Sequence, residues 1–99
     1  MRDPEIMSQV KTILAKISKI APGHAVELRI PPYSAIQCVE GPKHTRGTPP
    51  NVVEMSADVL FDIVGGKINW PDAISDGLIS ASGERSDLSA LFQQLSAAE

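Results

Sequence analysis

The chain has 99 residues, 42 % of them apolar and 21 % charged, with a formal net charge of −3. That size supports one domain over residues 1–99 with a single small core. A lone cysteine, Cys38, excludes an internal disulfide, while the negative charge and only four aromatics (Tyr33, Phe61, Trp70, Phe92) argue against nucleic acid as a partner.

The charge is unevenly spread. Residues 1–50 hold seven Lys/Arg against four Asp/Glu, and residues 51–99 hold two against eight, so the halves carry +3 and −6. MRDPEIMSQV lacks the apolar run of a signal peptide, and no stretch reaches the roughly 18 apolar residues that span a bilayer. The expected setting is cytoplasmic, without integral membrane association.

In chain order, Asp3 and Pro4 read as an N-cap and first helical residue. Ile6, Val10, Ile13, Leu14, Ile17 and Ile20 then recur at helical spacing until Pro22-Gly23. Ala25–Pro31 alternates as a half-buried strand, Pro31-Pro32 breaks it, and Ala35–Glu40 reads as an antiparallel partner with both faces partly covered. Gly41–Asn51, GPKHTRGTPPN, reads as a loop, followed by a short strand at Val52–Met55.

Ser56 caps the next helix, whose apolar stripe is Val59, Leu60, Ile63 and Val64, and Gly65-Gly66 stops it in a left-handed turn. Asn69 caps a short helix from Trp70, and Asp76-Gly77 turns the chain into a strand over Leu78–Gly83. Ser86 or Asp87 caps a last helix with Leu88, Leu91, Phe92 and Leu95 at i, i+3, i+4, i+7.

Little of this carries chemistry. His24, His44 and Cys38 lack metal-ligand spacing, so no metal or other cofactor is expected. A Cys38–His44 nucleophilic pair is conceivable across the loop, yet Cys38 alternates as a strand-core residue, and buried thiols are usually inert. No glycine motif cradles a phosphate, because Gly65-Gly66 ends a helix rather than starting one. The best polar cluster is Lys43-His44-Thr45-Arg46, where Arg46 can grip a carboxylate or phosphate and His44 can titrate near neutrality; the alternative is a solvated turn paired with the acidic half.

Residues Ser56–Leu95 resemble the sterol carrier protein type-two family, through the strand ending in M-S, the helix start S-A-D, the stop G-G-K, a short helix, and D-G-L-I-S-A-S-G before a final helix. PPYSAIQCVEGPKHTRGTPPNVVE, with W-P-D-A and S-A-S-G downstream, is similar to small actinobacterial sterol-carrier-like proteins over nearly the whole chain. The resemblance implies an α+β fold, with a mixed or antiparallel sheet of about five strands, helices packed on one side, and an apolar tunnel for a lipid, sterol or acyl chain. It also implies a second role, since similar domains occur fused to mycothiol-dependent isomerases and other enzymes.

Three readings stand at this point, none of them an enzyme. The first is a non-catalytic carrier of a hydrophobic ligand, contacted by Phe61, Val64, Trp70, Ile74, Leu91 and Phe92, with His44 or Arg46 at a polar head. The second is an accessory module that docks on a thiol-dependent partner enzyme or binds an anionic small molecule. The third is a structural protein, a homo-oligomer for instance, pairing its basic half with its acidic half.

Overall fold

A computed structural model describes residues 3–41 and 51–98. Its elements are α1 (Pro4–Ile20), β1 (Val26–Ile30), β2 (Ser34–Cys38), β3 (Asn51–Met55), α2 (Ala57–Val64), α3 (Trp70–Ser75), β4 (Ile79–Ser82) and α4 (Ser89–Ala98). The strands form one mixed sheet in the order β2-β1-β3-β4, with β1 antiparallel to β2 and parallel to β3, and β4 antiparallel to β3. The α+β class stands. The expected count of about five strands is corrected to four among the described residues, which contain four extended runs and no fifth to supply another rung.

Period-two alternation decides which face of the sheet is covered. Register places Ile36, Leu28, Val53 and Ala81 in one inward row, and Ser34, Ile30, Met55 and Ile79 in rows beside it. Val26, Leu28, Ile30, Val53, Met55 and Ile79 are buried there. The opposite face shows Ala35, Gln37, Glu54, Ser80 and Ser82 to solvent, with Glu27 and Arg29 half-exposed between them. The expectation that both faces of β2 are partly covered is corrected at Ala35 and Gln37, which are exposed among the described residues. On this outer face Arg29 donates to the Glu27 carboxylate, and that hydrogen bond holds the guanidinium pKa above its ordinary value.

The helices cover the inward face. α1 packs on β2 through Val10, Leu14 and Ile17, α3 packs on β4, and α4 packs against α2 and α3. Each start follows the capping chemistry of the sequence. Asp3 Oδ1 accepts from the N–H of Glu5 and Ile6, at 2.9 and 3.3 Å. Ser56 Oγ accepts from Val59 at 3.2 Å, Asn69 Oδ1 from Asp72 at 2.9 Å, and Asp87 Oδ1 from Ser89 at 2.9 Å.

The stops of α2 and α3 are built alike. The Gly66 N–H donates to Ile63 O at 3.2 Å and the Lys67 N–H to Asp62 O at 2.8 Å; the Gly77 N–H donates to Ile74 O at 3.1 Å and the Leu78 N–H to Ala73 O at 2.9 Å. Both glycines sit in the left-handed region, at φ +78° and +74°. This is the Schellman arrangement, which satisfies carbonyls that the helix end would otherwise orphan.

Among the described residues one polar residue is buried. Asn51, 4 % exposed, donates from Nδ2 to Ala25 O at 2.8 Å and accepts the Arg85 N–H at Oδ1, at 2.9 Å. Its amide thus ties the start of β1, the start of β3 and the segment after β4. The sequence reading placed Asn51 at the end of a loop; the rest of that loop, residues 42–50, lies outside the described residues.

Two substitutions follow, both read by urea denaturation. Asn51→Ala strands the buried Ala25 carbonyl and removes the partner of the part-buried Arg85 N–H, and is expected to cost about 2 kcal/mol. Gly66→Ala forces an L-residue into the left-handed region and is expected to cost about 1 kcal/mol. The Gly66 effect is conformational rather than steric, since an added Cβ would meet only Ser96 Oγ, at an ordinary 3.5 Å.

Candidate ligand-binding site

Two depressions flank α2. The first, of about 370 Å³, is a half-open groove between the end of α2, the α2–α3 loop, the start of α3 and one side of α4. The second, about 430 Å³ and wider open, lies between α1 and α2 and is lined by Ser8, Thr12, Ile13, Lys16, Phe61 and Val64, among others.

The Gly66 stop shapes the first groove. It reverses the chain so that Ile68 and Trp70 come to line the groove with Ile63, while Asn69 caps α3 at the same place. Trp70 stacks on Phe92 of α4, with ring centroids 5.8 Å apart and planes inclined by 21°. Both rings are largely buried, at 8 % and 2 % exposure, and so form a firm apolar wall. α4 contributes Ser89, Gln93 and Ser96, spaced i, i+4, i+7 and therefore on one side of the helix. The groove thus has an apolar side and a side of uncharged hydrogen-bonding groups. Beside it, Asp87 is held below the usual carboxylate range by hydrogen bonds from the Ser89 hydroxyl and N–H.

The residues expected from the sequence to contact a ligand are divided by this geometry. Trp70 and Phe92 line the α2–α3–α4 groove, and Phe61 and Val64 line the α1–α2 depression. Leu91 is half-buried and Ile74 is 38 % exposed; neither lines either space. His44 and Arg46 lie outside the described residues. The sequence reading passed over Ile63, Ile68, Asn69, Ser89, Gln93 and Ser96. The legible signal for three of these was the polar i, i+4, i+7 series that borders Phe92 on the last helix.

The remaining chemistry is sparse. His24 Nδ1–H donates to Gln37 Oε1, 2.7 Å away, on the outer sheet face. No group of three or more His, Cys, Asp or Glu converges among the described residues. Cys38 is fully buried in β2 beside Val26, and burial pushes its thiol from 9.0 up to about 11. A thiol so placed is a core side chain, not a nucleophile at neutral pH.

The family model described as bacterial SCP ortholog matches residues 2–93, nearly the whole chain. The chain belongs to this sterol carrier protein-like family. No curated protein matches it significantly. In this family member no helix among the described residues is long and apolar enough to cross a membrane. Family membership points to a domain that carries lipid or another hydrophobic molecule.

Cys38 gives a pH signature. The unfolded thiol ionises near 9 whereas the folded one stays protonated to about 11, so its contribution is intact below pH 9 and lost as pH rises from there to 11. The expected loss is on the order of 2 kcal/mol. Urea denaturation at pH 8 and pH 10.5 measures it, and Cys38→Ala is expected to remove this part of the pH slope.

Proposed function

We propose that this protein is a non-catalytic carrier that holds one hydrophobic ligand in the groove between α2, α3 and α4. The observation that carries the reading is the stacked Trp70–Phe92 pair walling a groove of about 370 Å³ in a member of a carrier-like family. That volume falls at the lower end of the roughly 300–1,000 Å³ common for small-molecule sites, which favours a single chain over a bulky or two-tailed lipid. The ligand's apolar part lies along Ile63, Ile68, Trp70 and Phe92, and its polar part faces α4. The binding set inferred from the sequence contracts accordingly to Trp70 and Phe92, joined by Ile63 and Ile68.

The α1–α2 depression is a weaker host. It is wider open, so a ligand seated there stays in more contact with water. Apolar ligands gain most where they leave water most completely.

Trp70 is the chain's single tryptophan, so it reports on its own groove. Titration with lauroyl-chain amphiphiles is expected to shift and saturate its emission, and native mass spectrometry of the purified protein is expected to show co-purified lipid. Ser96→Phe, which fills the groove, is expected to weaken binding at least about tenfold, equivalent to about 1.4 kcal/mol. Ser8→Phe, which fills the α1–α2 depression instead, is expected to leave it unchanged. Absence of both co-purified lipid and any saturable emission change up to high micromolar ligand sinks the proposal.

A further inference from the structure

Resting on the carrier reading, we infer that the α2–α3–α4 groove selects an uncharged single-chain amphiphile, bearing hydroxyl or amide groups, against a fatty acid or other anionic lipid of equal chain length. Two independent observations lead there. The first is the lining itself: Ile63, Ile68, Trp70, Pro71 and Phe92 are apolar, Asn69, Ser89, Gln93 and Ser96 are polar but uncharged, and no described residue lining it carries a charge. A carboxylate seated against α4 would exchange water for neutral dipoles without gaining a cation, whereas a hydroxyl or amide replaces its water hydrogen bonds one for one.

The second is the surrounding field. The helices and loops that build the groove belong to residues 57–98, which hold six acidic residues (Asp58, Asp62, Asp72, Asp76, Glu84, Asp87) against Lys67 and Arg85. One carboxylate contacts the lining directly, Asp87 accepting the Ser89 N–H, and Asp72 directly follows the lining residue Pro71 in the chain. Lys67, between Gly66 and Ile68, offsets only part of this. An anionic head approaching the groove meets a net negative potential, and a neutral head does not.

The polar stripe on α4 adds direction. Residues 89, 93 and 96 rise along the helix at about 1.5 Å per residue, so their side chains span roughly 10 Å beside Phe92. A head with several hydroxyls, as in a glycerol monoester, can meet more than one of them, and a plain hydrocarbon meets none.

The test compares monolauroylglycerol with laurate at pH 8, each below its micelle concentration, read by Trp70 emission. Monolauroylglycerol is expected to bind at least about tenfold more tightly at low salt, with the gap narrowing at 0.5 M salt as the field is screened. Gln93→Lys supplies the missing cation on an exposed helix position. It is expected to raise laurate affinity severalfold and so to narrow the gap between the two ligands, and an unchanged gap overturns the inference. Equal or tighter binding of laurate by the wild-type chain overturns the inference while leaving the carrier reading intact. Tight laurate binding that is lost in the His44→Ala, Arg46→Ala double variant overturns it in favour of a head-group site on residues 42–50. Failure of both ligands to bind overturns the carrier reading itself.

Discussion

The parallel ladder between β1 and β3 sets Leu28 beside Val53 and Val26 beside Asn51, and gives the helices a single apolar face to cover. β2 and β4 then add antiparallel at the two edges, each reached by a connection in which glycine or proline turns the chain. A parallel pair cannot be joined by a tight turn, so its register needs another constraint. Asn51 supplies one. Its side-chain amide holds the Ala25 carbonyl and the Arg85 N–H together, which fixes where β3 starts against β1 and where the chain leaves β4. A buried amide satisfied at both ends specifies position in a way that a leucine of similar size does not.

The core above that ladder is filled. Leu14, Ile17, Leu28, Ile30, Leu60 and Phe92 are fully buried in it. In a 99-residue chain a tunnel through this layer would remove a large share of the contacts that keep the domain folded. Among the described residues, two accessible spaces lie at the flanks of α2, where one helix packs between two others and its ends leave gaps. The α2–α3–α4 groove is therefore a by-product of the Gly66 stop. The turn that ends α2 in favourable geometry also lays Ile68 and Trp70 along α4.

Under the proposed carrier reading, stability and binding draw on the same side chains there. Phe92 is among the most buried residues and also lines the groove, and Trp70 packs on it while capping the groove's apolar side. Such a wall is preorganised, so a ligand that docks on it orders little of the protein. The charge is arranged separately. The uncharged lining sits within the acidic half of the chain.

Much of the fold was legible in local sequence: the caps at Asp3, Ser56 and Asn69, the glycine stops at Gly66 and Gly77, and the alternation of β1 depend on neighbours a few residues apart. The α+β class followed from the same short signals, and the family from a resemblance carried by longer motif runs such as D-G-L-I-S-A-S-G. Tertiary structure alone decided what depends on distant partners. It showed four strands in one mixed sheet, an Asn51 clasp reaching residues 26 and 34 positions away, and a set of apolar candidates split between two sides of α2. Helical periodicity states that Phe61, Val64, Trp70, Ile74, Leu91 and Phe92 are apolar on their elements, but not which elements face each other. That follows from the packing angles of the helices on the sheet, which no local pattern encodes.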